Sequence, residues 1–587
     1  MMMQKSDDES VEFIGDYKPD YSQIISLLRR LFGIAECELI GYGLSCYPCP
    51  YHPNEKYDRL IIDPRNKMRR IVCAKEPLIN RFTEMNNSDE LFNELNEKFD
   101  AIAKKLKKPP AKYTDTLFSE IIERHYVLTN LIITVHDKKT KALKSYKYHP
   151  EEGIYIEITT DEMESELLKL FQTFTSYKPS LSLLNEMAKN IRKLTERPGD
   201  EDIFLPIKGN VFYLVGRVRD IEVNTITGEV RILEKDPINR PFIERLPYDF
   251  AIDPPKDPPE EFKIFEKYTT PKFLNNVLIL LAKAFIYNGL NYIFVIISRG
   301  HGTGKTSFFY ILDTISGGKV IKVDPKHFKG QFFESRLVNK TIMVLEEYRG
   351  RYEVINDKLK EFASRTTSIE GDKKFETGVK AKNMLTVAIT TNKAEFPWEF
   401  LVDLAFMSRV CFTPFVYYRE GTPLPDWVDP GDDKEKQLKR EKVVLYTIMN
   451  IVPKVLRNEI KPVSYNNAVL IQWVDKKTEE DTEKGIKVAK LKPPDGIDDF
   501  LEEMAYKDTS DANNYAVFMT LDDLFNLYLR WCDKKETYLP MSDAEFKNYL
   551  EYGAKSIYVV TRKVKKDDKI VEEKGVYIRK ANLSDYI

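Results

Sequence analysis

Six cysteines in 587 residues are too few for a disulfide scaffold, and the expectation is a reducing, cytoplasmic setting. Neither sign of charge dominates. The 90 lysines and arginines nearly cancel the 92 aspartates and glutamates, and a net charge of −2 excludes a uniformly basic coat for nucleic acid. Local basic loops stay open, because they act within a Debye length of about 8–10 Å. Long apolar runs are missing. The most apolar stretch, Phe273–Tyr287, is interrupted by Lys283 and is too short to span a bilayer, so no membrane is expected as a partner. The opening MMMQKSDDES lacks the basic-then-apolar order of a secretory leader. There is no whole-domain repeat. In the first 270 residues Asp58, Asp63 and Asp161 form no acidic pair on a convincing strand, so primer synthesis is not expected.

What is present is ordinary for a globular protein, with 42% hydrophobic and 31% charged residues. The length demands several cores, and composition shifts divide it into residues 1–110, 111–270, 271–430, 431–495 and 496–587. The first division holds a short helical pattern over 21–32 and a longer amphipathic one over 88–106, ending in Lys107-Lys108-Pro109-Pro110. The second mixes strands (Ile154–Ile158, Val211–Val218) with helices (Glu162–Phe174, Leu181–Leu194) before the proline-rich connector DPPKDPP at 253–259. The third alternates helix and strand in the manner of a doubly wound nucleotide-binding domain. A helical stretch over 434–455 and a charge-rich segment over 475–495, read as a solvated loop, make the fourth. The last has helices at Thr520–Cys532 and Asp543–Tyr552, then strands at Ser556–Val564 and Lys569–Ile578, the order of a winged-helix domain.

One stretch organises the rest. Tyr292–Phe309 reads YIFVIISRGHGTGKTSFF: a β-branched apolar run, a turn with alternating Gly300, Gly302 and Gly304, and then a helix opened by Lys305-Thr306-Ser307. Such a turn, with Thr303 inside it, points backbone N–H groups at phosphate oxygens, and the helix N-terminus adds partial positive charge. Lys305 is placed to reach the β/γ-phosphates of ATP, and the Thr306 hydroxyl to ligate Mg²⁺. The strict phosphate-loop pattern has glycine where this chain has Arg299. A glycine-rich turn that binds nothing is the bland alternative.

A nucleotide site also needs carboxylates. The run KTIMVLEEYR ends a short apolar strand in Glu346-Glu347, 41 residues after Lys305. Ligands collect at the carboxyl ends of parallel strands, where one acid can hold the Mg²⁺ shell and the other can take a proton from attacking water. A third strand, Leu385–Ile389, runs into Asn392, whose amide can orient water or serve only as a turn residue. Arg409, in the segment AFMSRV, is either a surface arginine or a finger offered to a neighbouring subunit.

The ordered set GHGTGKTS, VLEE, IEGDKKF, VAITTN and AFMSRV resembles the superfamily 3 helicases, AAA+-related ATPases of viruses and plasmids. It is most similar to their poxvirus-type primase-helicase branch and its archaeal-virus and plasmid relatives. LPIKGNVFYLVG, ERLPYDFAIDPPKDPPEEFKIF and LKEFASRTTSIEGDKKF resemble further parts of that branch, and FMTLDDLFNLYLRWCDKKETYLPMSDAEFKNYL resembles its winged-helix domain. The resemblance implies a multidomain α/β protein: an AAA+-like parallel-sheet ATPase core, preceded by an α+β domain and followed by a winged helix. It further implies that Lys305 and Thr306 bind phosphate and Mg²⁺, that Glu346 and Glu347 are the metal-holding and hydrolytic acids, that Asn392 is the sensor and Arg409 the inter-subunit finger. Lys373, Lys374 and Phe375 match the family's DNA-contacting hairpin, which faces the channel of a homo-hexameric ring.

A second cluster stands near the N-terminus. Cys46, Cys49, His52 and Cys73 have the spacing C-x₂-C-x₂-H-x₂₀-C, with Cys37 to spare. Thiolates and imidazole in this pattern suit tetrahedral Zn²⁺, and small buried residues in a proline-rich loop are the other reading. Cys411 and Cys532 sit in apolar sequence and are expected in the core. The functional expectation is ATP-driven DNA unwinding in viral or plasmid replication, with DNA as a single strand, duplex or fork and other replication proteins as partners. A non-unwinding NTP-dependent DNA-binding or packaging ATPase, and a primase-helicase with a divergent primase, are the alternatives.

Overall fold

The computed structural model describes, besides isolated positions, residues 36–40, 43–47, 60–62, 71–73, 130–137, 142–174, 179–287, 292–298, 302–324, 334–337, 339–346, 368–373, 376–382, 385–392, 395–397, 403–416, 423–474, 480–481, 486–490, 494–506, 515–552, 559–566 and 569–586. The chain is a multidomain α/β protein with two compact units, one of Met1–Leu205 and Lys235–Arg245, the other of Pro206–Glu234 and Leu246–Ile587. Among the described residues no helix is long and apolar enough to cross a membrane.

In the first unit, Glu36–Ile40, Gly43–Tyr47, Leu60–Ile62 and Ile71–Cys73 form an antiparallel sheet in chain order. Its register puts Cys37 across from Cys46, Cys46 across from Leu60, and Leu60 across from Cys73. Cys37, which the metal-ligand spacing left over, is disulfide-bonded. Cys49 and His52 lie outside the described residues, as do the side chains of Cys46 and Cys73 and most of the helices expected over 21–32 and 88–106. A second sheet has the order Ile154–Ile158, Leu143–His149, Ile132–His136, Glu196–Asp200, with only the last pair parallel. Helices Thr160–Phe174 and Leu181–Leu194 bury Met163, Leu167, Met187 and Ile191 against Ile132 and Ile158. The second helix starts where Ser180 caps it, its hydroxyl accepting from the Leu183 amide at 3.2 Å.

The second unit is built on a five-stranded parallel sheet. Its strands are β1 (Ile293–Ile297), β2 (Val320–Val323), β3 (Ile342–Glu346), β4 (Thr386–Thr391) and β5 (Val410–Pro414), in the spatial order β2-β3-β4-β1-β5. Every residue of β1, β4 and β5 is buried, which is why the sequence shows continuous apolar runs rather than alternation. The pleat divides them between two cores. Phe294, Ile296, Ile342, Val344 and Ala388 pack with Phe308, Phe309, Ile311 and Leu312 of helix α1 (Lys305–Ile315). On the other face Val295, Ile297, Met343, Leu345, Ile389 and Phe412 pack with Phe406, Tyr465 and Trp473. The apolar helix expected around 273–287 is the ten-residue Leu274–Lys283, buried on the α1 side. An antiparallel meander (Ile207–Lys208, Val211–Val215, Arg219–Asn224, Val230–Glu234) shares that core.

One expectation is corrected. The charge-rich segment over 475–495 is not all loop: Ile486–Lys490 is a strand between Glu395–Pro397 and Glu480–Asp481. Its pairing partner lies some 90 residues earlier, and composition carries no trace of such a distant ladder.

The C-terminal part has helices Ile497–Met504, Leu521–Lys535 and Asp543–Tyr552, and a sheet in the order Ala516–Thr520, Lys569–Arg579, Val560–Lys566. Phe500, Tyr528, Trp531 and Phe546 form its centre. Gly496, with φ 71°, leads into the first helix, and a Cβ there would lie 2.6 Å from the Tyr538 ring. Cys411 and Cys532 are both buried, as expected, and burial pushes the Cys411 thiol up to about 12.

Asp533 joins this part to the start of the Leu274–Lys283 helix. It accepts from the Thr270 hydroxyl at 2.5 Å and the Lys272 amide at 3.0 Å, while Lys272 Nζ donates to Glu536 at 2.5 Å. Burial raises the Asp533 carboxyl above its usual range, and the two donors act against that. Asp533→Ala would orphan a buried hydroxyl and a helix-start amide, a loss of about 1–3 kcal/mol. Hydrogen exchange at residues 270–273 is expected to quicken accordingly, with exchange in β1 and β4 unchanged.

Candidate functional site

The carboxyl ends of β1, β3 and β4 face one way because the three strands are parallel neighbours. Register aligns Ile297 with Thr391, so Ser298 and Asn392, one residue beyond each strand, stand side by side. Ser298 is 2% exposed, and its hydroxyl donates to Asn392 Oδ1 at 3.0 Å. Glu346 closes β3 at the level of Thr390.

The chain returns to this end through the glycine turn. Gly302 (φ 75°) and Gly304 (φ 77°) hold left-handed backbone on either side of Thr303, which does not. That alternation is the geometry of an anion-binding nest, and a side chain at either glycine would disfavour it. Gly304 is the N-cap of α1 and offers no side chain to the helix's free amides, which leaves them for another acceptor. Thr306 and Ser307 follow in the first turn, Thr306 exposed and Ser307 half-buried. Arg299 and Gly300 lie outside the described residues.

Lys305 reaches the strand ends from the helix start. Its Nζ donates to Ser298 Oγ and Asn392 Oδ1, and to Thr303 Oγ1 at 3.1 Å. Lys305 and Asn392, singled out separately in sequence, are thus brought together by the fold. Glu346 is ion-paired with Lys322 of β2 at 3.3 Å, and both side chains are about two-fifths exposed. Thr306 and Glu346 are an oxygen donor pair of the kind Mg²⁺ takes. Glu347 lies outside the described residues.

Arg409 is not at this end. It precedes β5, its carbonyl accepting from the Ile293 amide at 2.8 Å, level with the start of β1. Five residues of strand at roughly 3.3 Å each separate that level from Ser298, about 16 Å. The lysine motif lies on an antiparallel hairpin, Ser368–Lys373 with Glu376–Lys382, in which Lys373 pairs with Glu376. Lys374 and Phe375 lie outside the described residues.

Sequence reasoning missed Ser298 and Lys322. Ser298 was visible as the first polar residue after the β1 run. Lys322 carried no signal, because its partner sits on a strand whose adjacency only the sheet order reveals.

A family model described as a family of unknown function, DUF5906, matches residues 296–404, the span from the end of β1 through the hairpin and β4. No curated protein matches the chain. Among solved structures, the chain is similar to the apo C-terminal region (305–718) of NrS-1, at 13% identity and TM-score 0.34, over 76% of this chain and 96% of that one. The A form of the same apo region gives 14% identity and TM-score 0.32 over the same shares.

Proposed function

We propose that this chain is an ATP-dependent DNA helicase of the superfamily 3 type, acting in viral or plasmid replication as a ring, a homo-hexamer by resemblance. The observation that carries this is the bond of Lys305 to Asn392 at the carboxyl end of the sheet, beside a left-handed glycine turn that opens α1, with Glu346 closing the strand next to β4. The strand order β2-β3-β4-β1-β5 supports an AAA+-like core, and the helices and hairpin of the C-terminal part support a winged-helix reading.

In this reading the N–H groups of the 300–305 turn and Lys305 hold the ATP phosphates, and Thr306 and Glu346 hold Mg²⁺. The metal would supply positive charge at the phosphate oxygens. Glu347 takes a proton from the attacking water, and Asn392 orients that water against the γ-phosphate. Arg409, whose position at the far end of the edge strand β5 supports this, serves a neighbour's nucleotide rather than its own chain's. Lys373 and Lys374 bind the phosphate backbone of DNA in the channel, with Phe375 available to stack on a base. The Cys46, Cys49, His52 and Cys73 set is proposed as a Zn²⁺ site, on its spacing, for the reduced chain: with Cys411 and Cys532 free, the disulfide at Cys37 takes one of the set's three thiols.

The test is strand separation on a forked duplex with ATP. Lys373→Ala/Lys374→Ala is expected to keep ATP hydrolysis and lose unwinding. Unaltered unwinding in that variant would overturn the hairpin assignment. Wild-type protein that hydrolyses ATP and binds DNA without separating strands would instead place the chain among non-unwinding switches or packaging ATPases.

A further inference from the structure

We infer that the cavity at the amino ends of β1 and β5 is a second ligand site, one that takes a flat ring joined to a single phosphate. That chemistry belongs to a free nucleoside monophosphate or to one unit of a single-stranded nucleic acid. The inference stands apart from the ATP reading above, because the cavity lies at the opposite end of the sheet from Lys305.

The cavity measures about 680 Å³, within the usual range for small-ligand sites. Tyr292, just before β1, and Val410, level with Ile293, line one side of it. The loop that carries Asn458, Lys461, Ser464 and Asn466 lines the other. Two neighbouring asparagines of the Leu274–Lys283 helix fix that loop. Asn275 Nδ2 donates to the Lys461 carbonyl at 3.3 Å. Asn276, fully buried, accepts from the Val463 amide at 2.8 Å and donates to the Val463 carbonyl at 2.6 Å. The wall is thus set by the fold itself, which keeps the ordering cost of binding low.

The donors on this wall select an anion. Ser464 Oγ accepts from the Phe412 amide at 3.3 Å, and its own O–H is left to donate. Asn466 Oδ1 accepts from the Ala468 amide at 2.9 Å, which leaves its N–H₂. Lys461 adds a full positive charge, exposed and in no ion pair among the described residues. Glu459, the acid nearest to it in sequence, is ion-paired with Arg457 at 2.6 Å. No aspartate or glutamate is among the residues described as lining the cavity, although the chain has 92 of them. Such a set suits a phosphate oxygen and disfavours a cation. One exposed lysine on a phosphate is weak and screened by salt, so the remainder of the ligand must supply selectivity. Tyr292, Met407 and Pro462 supply the apolar part, an aromatic ring and a polarisable thioether against which a base packs.

Lysine acylation followed by peptide mass spectrometry, on full-length protein without Mg²⁺, reads the site directly. Thymidine monophosphate at millimolar concentration, or a short oligothymidylate, is expected to slow labelling of Lys461 by about threefold or more, with the exposed Lys454 unchanged. Protection by the monophosphate alone identifies a small-molecule site, and protection by the oligomer alone a strand-binding one; either sustains the inference. Equilibrium dialysis with whichever radiolabelled compound protects gives the second readout. Lys461→Ala is expected to weaken binding by about tenfold or more and Lys461→Arg to retain it, since the carbonyl of residue 461, not its side chain, holds the loop. Lys305→Ala is expected to leave this binding unchanged, which separates the site from the glycine turn. No protection by either compound, wild-type affinity in Lys461→Ala, lost affinity in Lys305→Ala, or equal protection by inorganic phosphate would overturn the inference. If wild-type protein hydrolysed no ATP, the helicase reading would fall and the protection of Lys461 would still decide this one.

Discussion

Replacing Lys305 with alanine is expected to lower ATP hydrolysis by about 10²–10³-fold while leaving thermal stability nearly unchanged. The loss follows from removing the positive charge aimed at the phosphates, an effect of about 2.7–4 kcal/mol for one well-placed donor in a site closed to water. The stability follows from what stays behind. Ser298 still donates to Asn392 at 3.0 Å, so no buried polar atom of that pair loses its only bond. Lys305 also makes no part of the apolar packing of α1, which is carried by Phe308, Phe309, Ile311, Leu312 and Ile315. Phosphate release and a thermal melt measured on the same preparation check both halves. Hydrolysis by Lys305→Ala at the wild-type rate would remove the nucleotide site from this end of the sheet.

Arg409→Ala is expected to lower hydrolysis by about 10³-fold with nucleotide binding retained, because an arginine finger acts on the charge of the transferring phosphoryl group rather than on ground-state affinity. The geometry makes a sharper prediction. Arg409 stands at the amino end of β5, about 16 Å along the strands from Ser298, so one chain cannot bring its own Arg409 to its own Lys305 without unpairing β5. Mixing the two inactive variants is therefore expected to restore activity. Interfaces that join Lys305 of one variant to Arg409 of the other are complete, roughly a quarter of all interfaces under random pairing in a closed ring. Hydrolysis measured against mixing ratio checks this, with a maximum near equal proportions. A mixture as inactive as its components would exclude a shared site.

Some of this was legible in the residues. The core strands announced themselves as apolar runs because a parallel sheet is covered on both faces, and β1, β4 and β5 are buried throughout. The helix Leu181–Leu194 was bounded by its own chemistry, with Ser180 as cap and an apolar face of Leu184, Met187, Ala188 and Ile191. The glycine turn was legible for the same local reason: Gly302 and Gly304 sit at backbone angles that other residues avoid.

Other features depended on which strand lies beside which, and no local pattern encodes that. Ser298 and Asn392 are 94 residues apart and meet only because β4 pairs with β1. Lys322 reaches Glu346 only because β2 is the neighbour of β3. Asp533 finds Thr270 across 263 residues. The strand Ile486–Lys490 exists because Glu395–Pro397 offers it an edge. The stretch 292–309 by itself determined that a glycine turn with left-handed backbone follows a buried strand, through backbone preferences and burial that act within a few residues. The tertiary structure decided what that turn's lysine touches and at which end of the sheet Arg409 stands, because those are matters of strand order and direction, set by packing across the whole unit.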